Sequence, residues 1–71
     1  MPKLPNIKPK ILIKKLNKLG FIQYRQKGSH VVMVNQLKNK QVIVPVHNKE
    51  LKKGTLASIL RQGEIALRNV L

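Results

Sequence analysis

Residues 21–46 read FIQYRQKGSHVVMVNQLKNKQVIVPV, and the alternation within that stretch decides the fold. Three runs rich in β-branched and aromatic residues, about 21–26, 29–35 and 41–46, are separated by Lys27-Gly28 and by a polar stretch at about 36–40. Glycine and short polar segments between such runs are hairpin connections, so the stretch predicts three antiparallel strands. With the second hairpin centred near Lys38, Val32, Val34, Val42, Val44 and Val46 fall on one face of the sheet, because strand side chains alternate. That face is expected to carry the helices. Val31, Met33, Ile43 and Pro45 form a second apolar face with no helix left to cover it. Such a face is either a partner surface or a partly exposed sheet of no consequence. Tyr24 and Arg25 read as one core ring and one exposed charge.

The flanks are helical. Leu12, Leu16 and Leu19 recur at i, i+4 and i+7, with Lys14, Lys15 and Lys18 mostly on the other side, which describes an amphipathic helix with a basic outer face. Pro9 suits its first turn and Gly20 the left-handed position after its last. A second helix, at about 53–62, carries Leu56, Ile59 and Leu60 on one face and ends at Gly63. Ile65, Leu67, Val70 and Leu71 predict a last short turn over the core. Apart from a leader at residues 1–6 there are no repeats, linkers or low-complexity segments. The prediction is an α+β fold in the order α-β-β-β-α, with a three-stranded antiparallel sheet and both helices on one face. Residues 1–71 are expected to form one domain, since a second core could not be built from so short a chain.

Charge narrows the function. Fifteen Lys and Arg stand against two acidic residues, Glu50 and Glu64, for a formal charge of +13. Self-repulsion on that scale is relieved by a polyanion, and nucleic acid is the expected partner ahead of an anionic membrane surface or an acidic protein. The hydrophobic fraction of 42% is too high for a disordered basic tail. With only Phe21 and Tyr24 as aromatics, a platform that stacks bases on several rings is not expected. No apolar run reaches a membrane span and no signal-peptide core follows Met1, so a cytoplasmic location without membrane contact is expected. Cysteine is absent, which removes disulfides and thiolate metal sites. Two His and two Glu without HExxH spacing make no zinc site, and neither a phosphate-binding GxxxxGK[ST] loop nor a GxSxG elbow occurs. Neither a metal nor an organic cofactor is therefore expected.

His30 is the candidate catalytic residue. It opens the second strand behind Gly28 and Ser29, at an end of the sheet where Lys27, Lys49, Lys52 and Lys53 can gather. RNA carries its own nucleophile in the 2′-hydroxyl, so cleavage needs proton transfer and stabilisation of developing phosphorane charge. Imidazole serves the first need, lysines and helix N-terminal amides the second. Lys27, Lys49, Lys52 and Lys53 are accordingly the candidate RNA-binding residues, and Gly54 allows close phosphate approach. Ser29 and His30, being neighbours in a strand, point to opposite faces and do not make a nucleophile pair. His47 reads as a residue that fixes its loop by a local hydrogen bond, with a second proton-transfer role as the alternative.

Lys18-Leu19-Gly20-Phe21, Arg25-Gln26-Lys27-Gly28-Ser29-His30, Val44-Pro45-Val46-His47 and Leu51-Lys52-Lys53-Gly54-Thr55-Leu56 with Ile59-Leu60 occur in an order that resembles the HicA family, the toxin component of HicAB toxin–antitoxin systems. The resemblance covers nearly the whole chain. It implies a double-stranded-RNA-binding-domain-like fold, an mRNA endoribonuclease activity that halts translation, and neutralisation by a HicB-like antitoxin. Because the sequence holds no metal-ligand cluster, that endoribonuclease is expected to be metal-independent. The family's catalytic histidine falls on His30. The chain departs from the family at Gly63-Glu64, where relatives often show a longer linker into a final helix.

Three classes of function remain open to the residues themselves: a ribonuclease toxin, a non-catalytic small basic RNA-binding protein, and a basic protein whose only partner is acidic. The first two make one measurable prediction. RNA affinity should drop by about one logarithmic unit per logarithmic unit of salt for each phosphate neutralised. A salt titration of RNA binding that stays flat would remove both.

Overall fold

Pro9 opens the first helix, α1 (Pro9–Lys18), with a fixed φ and no N–H left to satisfy. Its Leu12 and Leu16 are wholly buried, while Lys15 and Lys18 occupy the last turn, where cations favour the helix dipole. The computed structural model describes residues 4–71; Met1–Lys3, the first half of the expected leader, lie outside the described residues. After α1 come three strands, β1 (Ile22–Lys27), β2 (His30–Asn35) and β3 (Lys40–Pro45). A second helix, α2 (Lys53–Gln62), and a short 3₁₀ turn at Leu67–Asn69 complete the chain. The sheet is antiparallel with β2 central, which is the α-β-β-β-α arrangement expected.

Both helices end in the same way. In α1 the N–H of Gly20 donates to Asn17 O at 3.1 Å and that of Phe21 to Leu16 O at 2.9 Å. In α2 Glu64 N–H donates to Arg61 O at 3.2 Å and Ile65 N–H to Leu60 O at 2.8 Å. This paired 6→1 and 5→2 pattern caps otherwise orphaned carbonyls and turns the next residue, Phe21 or Ile65, into the core. Gly20 takes the left-handed position in the first case (φ 99°), whereas Glu64 takes it in the second (φ 52°). Gly63, one place earlier, is glycine for space. A Cβ there would lie 2.7 Å from Ile65 Cδ1 and 3.0 Å from Val42 Cγ1. The core aromatic is thus Phe21. Tyr24, expected as the core ring, is 70% exposed.

The β2–β3 register differs from the expected one by a single residue. His30 lies opposite Pro45, Val31 opposite Val44, Val32 opposite Ile43 and Met33 opposite Val42. Val42 and Val44 face the helices as expected, but on β2 it is Val31 and Met33 that join them in the core. Val32 and Val34 turn to the outer face with Ile43 and Pro45. Val46, placed with the core valines, is partly buried against them. The cause is the turn. Four residues, 36–39, connect the strands, with Asn39 in the left-handed region (φ 55°), so the hairpin pivots between Leu37 and Lys38 rather than on Lys38. A one-residue shift exchanges every side chain of a strand between faces.

Asn35 holds that turn. It is 3% exposed; its Nδ2 donates to Leu19 O at 3.2 Å and its Oδ1 accepts from Lys38 N–H at 3.1 Å. The two helices share a core with β2 and β3, and β1, exposed along its whole length, extends past them as an edge. From the other side, Ile7 is buried and its carbonyl accepts the N–H of Leu51, tying the segment before α1 to the loop before α2. Across the turn Lys40 pairs with Glu64, and its hydrogen bond and charge hold the Glu64 carboxyl below the usual carboxylate range. That pair favours the fold above the carboxyl's unfolded pKa, and its contribution fades as pH falls through the lowered value.

Replacing Asn35 by Ala leaves Leu19 O and Lys38 N–H without their partner. The variant should lose about 1–3 kcal/mol of stability by denaturant unfolding, the cost of unmaking buried hydrogen bonds. A loss of less than ~0.5 kcal/mol, the ordinary surface value, would show that the turn holds without it.

Candidate functional site

Strand β1 carries the irregularity on which the site is built. Ile22 pairs with Val34 and Gln23 with Met33, but the next pair is Arg25 with Val32, so Tyr24 is an extra residue inserted into the strand. Beyond this bulge Gln26 pairs with Val31 and Lys27 with His30. Directly paired residues share a face, so the outer face of the sheet carries two adjacent rows: Arg25-Val32-Ile43 and Lys27-His30-Pro45. His30 is exposed, and among the described residues nothing donates to or accepts from its ring.

The backbone under His30 is firmly tied. Gly28 and Ser29 form a two-residue hairpin loop with positive φ at the first position only (59°), the pattern of a type II′ turn, which demands glycine there. Gln26 Nε2 donates to Gly28 O at 3.0 Å. Val46 N–H donates to Ser29 O at 2.6 Å, which extends the β2–β3 pairing past His30 to the turn itself. The imidazole therefore projects from a strand end fixed on both sides.

A basin of about 530 Å³ lies on this face, lined by Arg25, Lys27, Gly28, Ser29, His30, Val32 and Ile43. Its size is within the roughly 300–1,000 Å³ of small-ligand sites. A second basin, on the far side of Pro45, is lined by His47, Lys49, Glu50, Lys52 and Thr55. Lys53 belongs to neither: it lines a third with Leu4, Pro5 and Asn6, and its Nζ donates to Leu4 O. The four lysines singled out from sequence thus do not gather in one cluster. Lys27 stands with His30, Lys49 and Lys52 stand with His47, and Lys53 turns to the N-terminal segment. His47 accepts the N–H of Lys49 on Nδ1 at 3.2 Å, the local loop-fixing bond expected of it. Among the described residues no three His, Cys, Asp or Glu side chains come together as a metal-ligand set. None of the described helices is long and apolar enough to cross a membrane.

Residues 9–65 match the family model described as the HicA toxin of bacterial toxin–antitoxin. The chain belongs to the HicA toxin family. The matched span begins at the first residue of α1 and closes at the cap of α2, so it contains the His30 and His47 basins and excludes only the final 3₁₀ turn of the elements. No curated protein matches the chain. As a HicA-family member the protein is a toxin of a toxin–antitoxin system, and its partner is an antitoxin. Within this HicA chain Arg25 is exposed, as its sequence position predicts, and it lines the His30 basin, a placement the sequence does not signal. A bulge has no sequence signal of its own here, since Tyr24 is a good strand residue in either pairing.

An exposed strand-end histidine on the outer face of this HicA fold adds little to the core. His30→Ala should change unfolding stability by less than about 0.5 kcal/mol. A loss above ~2 kcal/mol in thermal or denaturant unfolding would make His30 a structural residue.

Proposed function

We propose that the protein is an endoribonuclease toxin that cleaves mRNA at His30 without a metal ion. The observation that carries this reading is an exposed imidazole on a rigid strand end, paired across the sheet with Lys27, on a surface of a strongly basic toxin. His30 takes the proton of an RNA 2′-hydroxyl as the oxygen attacks the adjacent phosphorus. The bond to the 5′-oxygen breaks, leaving a 2′,3′-cyclic phosphate on one fragment, and the departing 5′-oxygen takes a proton from water to become a hydroxyl. Lys27 stands beside the reacting phosphate; Lys49 and Lys52, across Pro45, hold the neighbouring backbone, with Lys53 adding charge from the flank.

A HicB-like antitoxin neutralises this activity by covering the outer face. That face combines apolar Val32, Val34, Ile43 and Pro45 with Arg25, Lys27 and His30, so the complementary partner presents apolar side chains ringed by carboxylates. RNA and antitoxin then compete for one surface.

One assay tests the catalytic assignment. Purified protein should cut RNA in EDTA, leaving cyclic phosphate ends, and His30→Ala should cut slower by a factor on the order of 10² or more while keeping most RNA affinity. Growth arrest on induced expression should disappear with the same substitution. A folded His30→Ala protein that cuts at the wild-type rate would sink the assignment, and activity restored to an EDTA-treated sample by one divalent ion would sink metal independence.

A further inference from the structure

We propose that Arg25 is the phosphate-holding residue of the His30 site, and that the extra residue at Tyr24 is what brings it there. This rests on the ribonuclease reading for its substrate, a phosphodiester, but its ligand chemistry stands on the geometry alone.

The pairing on either side of the bulge fixes the argument. Counted from Ile22 opposite Val34, an unbroken strand would set Tyr24 opposite Val32, Arg25 opposite Val31 and Gln26 opposite His30. Arg25 would then lie on the face of the sheet that carries the helices, and Lys27 would fall in the turn. The bulge resets the alternation, and Arg25 and Lys27 both come to the outer face. Bulges commonly re-aim side chains beside active sites. Lys27 lies directly across from His30, at a Cβ separation of roughly 5 Å, and Arg25 lies on the diagonal at about 7–8 Å, within reach of a long side chain.

Two cations two residues apart on one strand face repel each other, and such an arrangement disfavours the free fold. No acid relieves it among the described residues. Glu64 pairs with Lys40 at the other end of the sheet, and Glu50 lines the basin beyond Pro45. The floor between the two cations and His30 is apolar, made by Val32 and Ile43, and charge interactions are stronger over such a surface than in open water. A phosphate group fits this arrangement. The planar guanidinium binds two of its oxygens at once, whereas the lysine acts as a point charge. With Arg25 gripping the non-bridging oxygens, the phosphorus is held for attack while His30 moves the proton.

Four forms of the full chain test this: wild type, Arg25→Gln, Arg25→Lys, and Gln23→Arg/Arg25→Gln. The last keeps the net charge and moves the guanidinium two residues along β1 across the bulge, to the opposite face, from a residue paired with Val32 to one paired with Met33. Each is titrated with inorganic phosphate and with a nucleoside 3′-monophosphate while the His30 ring resonances are followed by NMR. Each is also assayed for RNA affinity and single-turnover cleavage. Arg25→Gln should cut slower by on the order of 10², the usual scale for removing one charge-stabilising donor. Its RNA affinity should weaken only as one phosphate contact does, with the salt slope reduced by about one. Arg25→Lys should fall between the two. The relocated variant should regain affinity but not cleavage, and the saturable phosphate-induced shift at His30 should be present in wild type alone or with Arg25→Lys. Wild-type cleavage by the relocated variant would overturn the proposal, as would a His30 shift that survives Arg25→Gln. If the wild-type protein cuts no RNA, the ribonuclease reading fails by itself, and the phosphate titration still decides the role of Arg25.

Discussion

The Asn35 side chain joins three parts of the chain at one buried point. Its amide nitrogen caps the end of α1 through Leu19 O, its oxygen accepts Lys38 N–H in the β2–β3 turn, and its own backbone ends β2 opposite Lys40. A side-chain amide can do this because it donates and accepts at once, and burial makes each bond costly to leave unmade. The consequence reaches well beyond the turn. By fixing a four-residue loop, it commits β2 to the register in which Val31 and Met33 face the helices, and so commits His30, exposed, and Val32, half-buried, to the outer face. Moved by one residue, the same strand would bury the imidazole's face and expose Met33.

Packing, not helix propensity or charge, holds the helices in place. Neither helix has an acidic residue in its first turn or a side-chain N-cap, and their N-caps, Lys8 and Lys52, place positive charge where the helix dipole disfavours it. Compensation comes at the opposite ends, where the paired C-terminal hydrogen bonds drive Phe21 and Ile65 into the core. Gly63 lets the second of these ends sit directly on Val42. Among the described residues the cations have few structural duties, the Lys40–Glu64 pair and a few contacts to backbone carbonyls, and most of the basic surface is available to a polyanion.

The outer face owes its chemistry to three local devices acting in one direction. The turn at Gly28-Ser29 holds His30 at the sheet's end, Val46 anchors that turn to β3, and the bulge at Tyr24 sets Arg25 and Lys27 on the same side. Because both helices pack on the opposite face, this face stays uncovered by any described element. An edge strand so exposed invites unwanted pairing, and Arg25, Lys27 and the twist a bulge imposes discourage it.

Much of this was legible in the amino-acid order. Period-3.6 leucines placed α1 and α2 within a residue or two, and Gly20 marked the end of the first helix. Alternation and turn residues gave three strands and their antiparallel order, and Val42 and Val44 were recognised as core. The Gly28-Ser29-His30 sequence set the histidine at a strand start. By itself, then, the sequence determined the element order, the family and the basic character, because these follow from local periodicity, composition and motif order. The faces of β2 and the position of Arg25 were decided only in the tertiary structure. Strand alternation allows two registers of equal local quality, since Val31, Val32, Met33 and Val34 are all apolar and either pair can serve as core. The structure takes the one in which Asn35, at the end of β2, bonds Leu19 O and Lys38 N–H, and it resets β1 against β2 at Tyr24: pairings set by residues brought together from different elements, on which no local pattern reports.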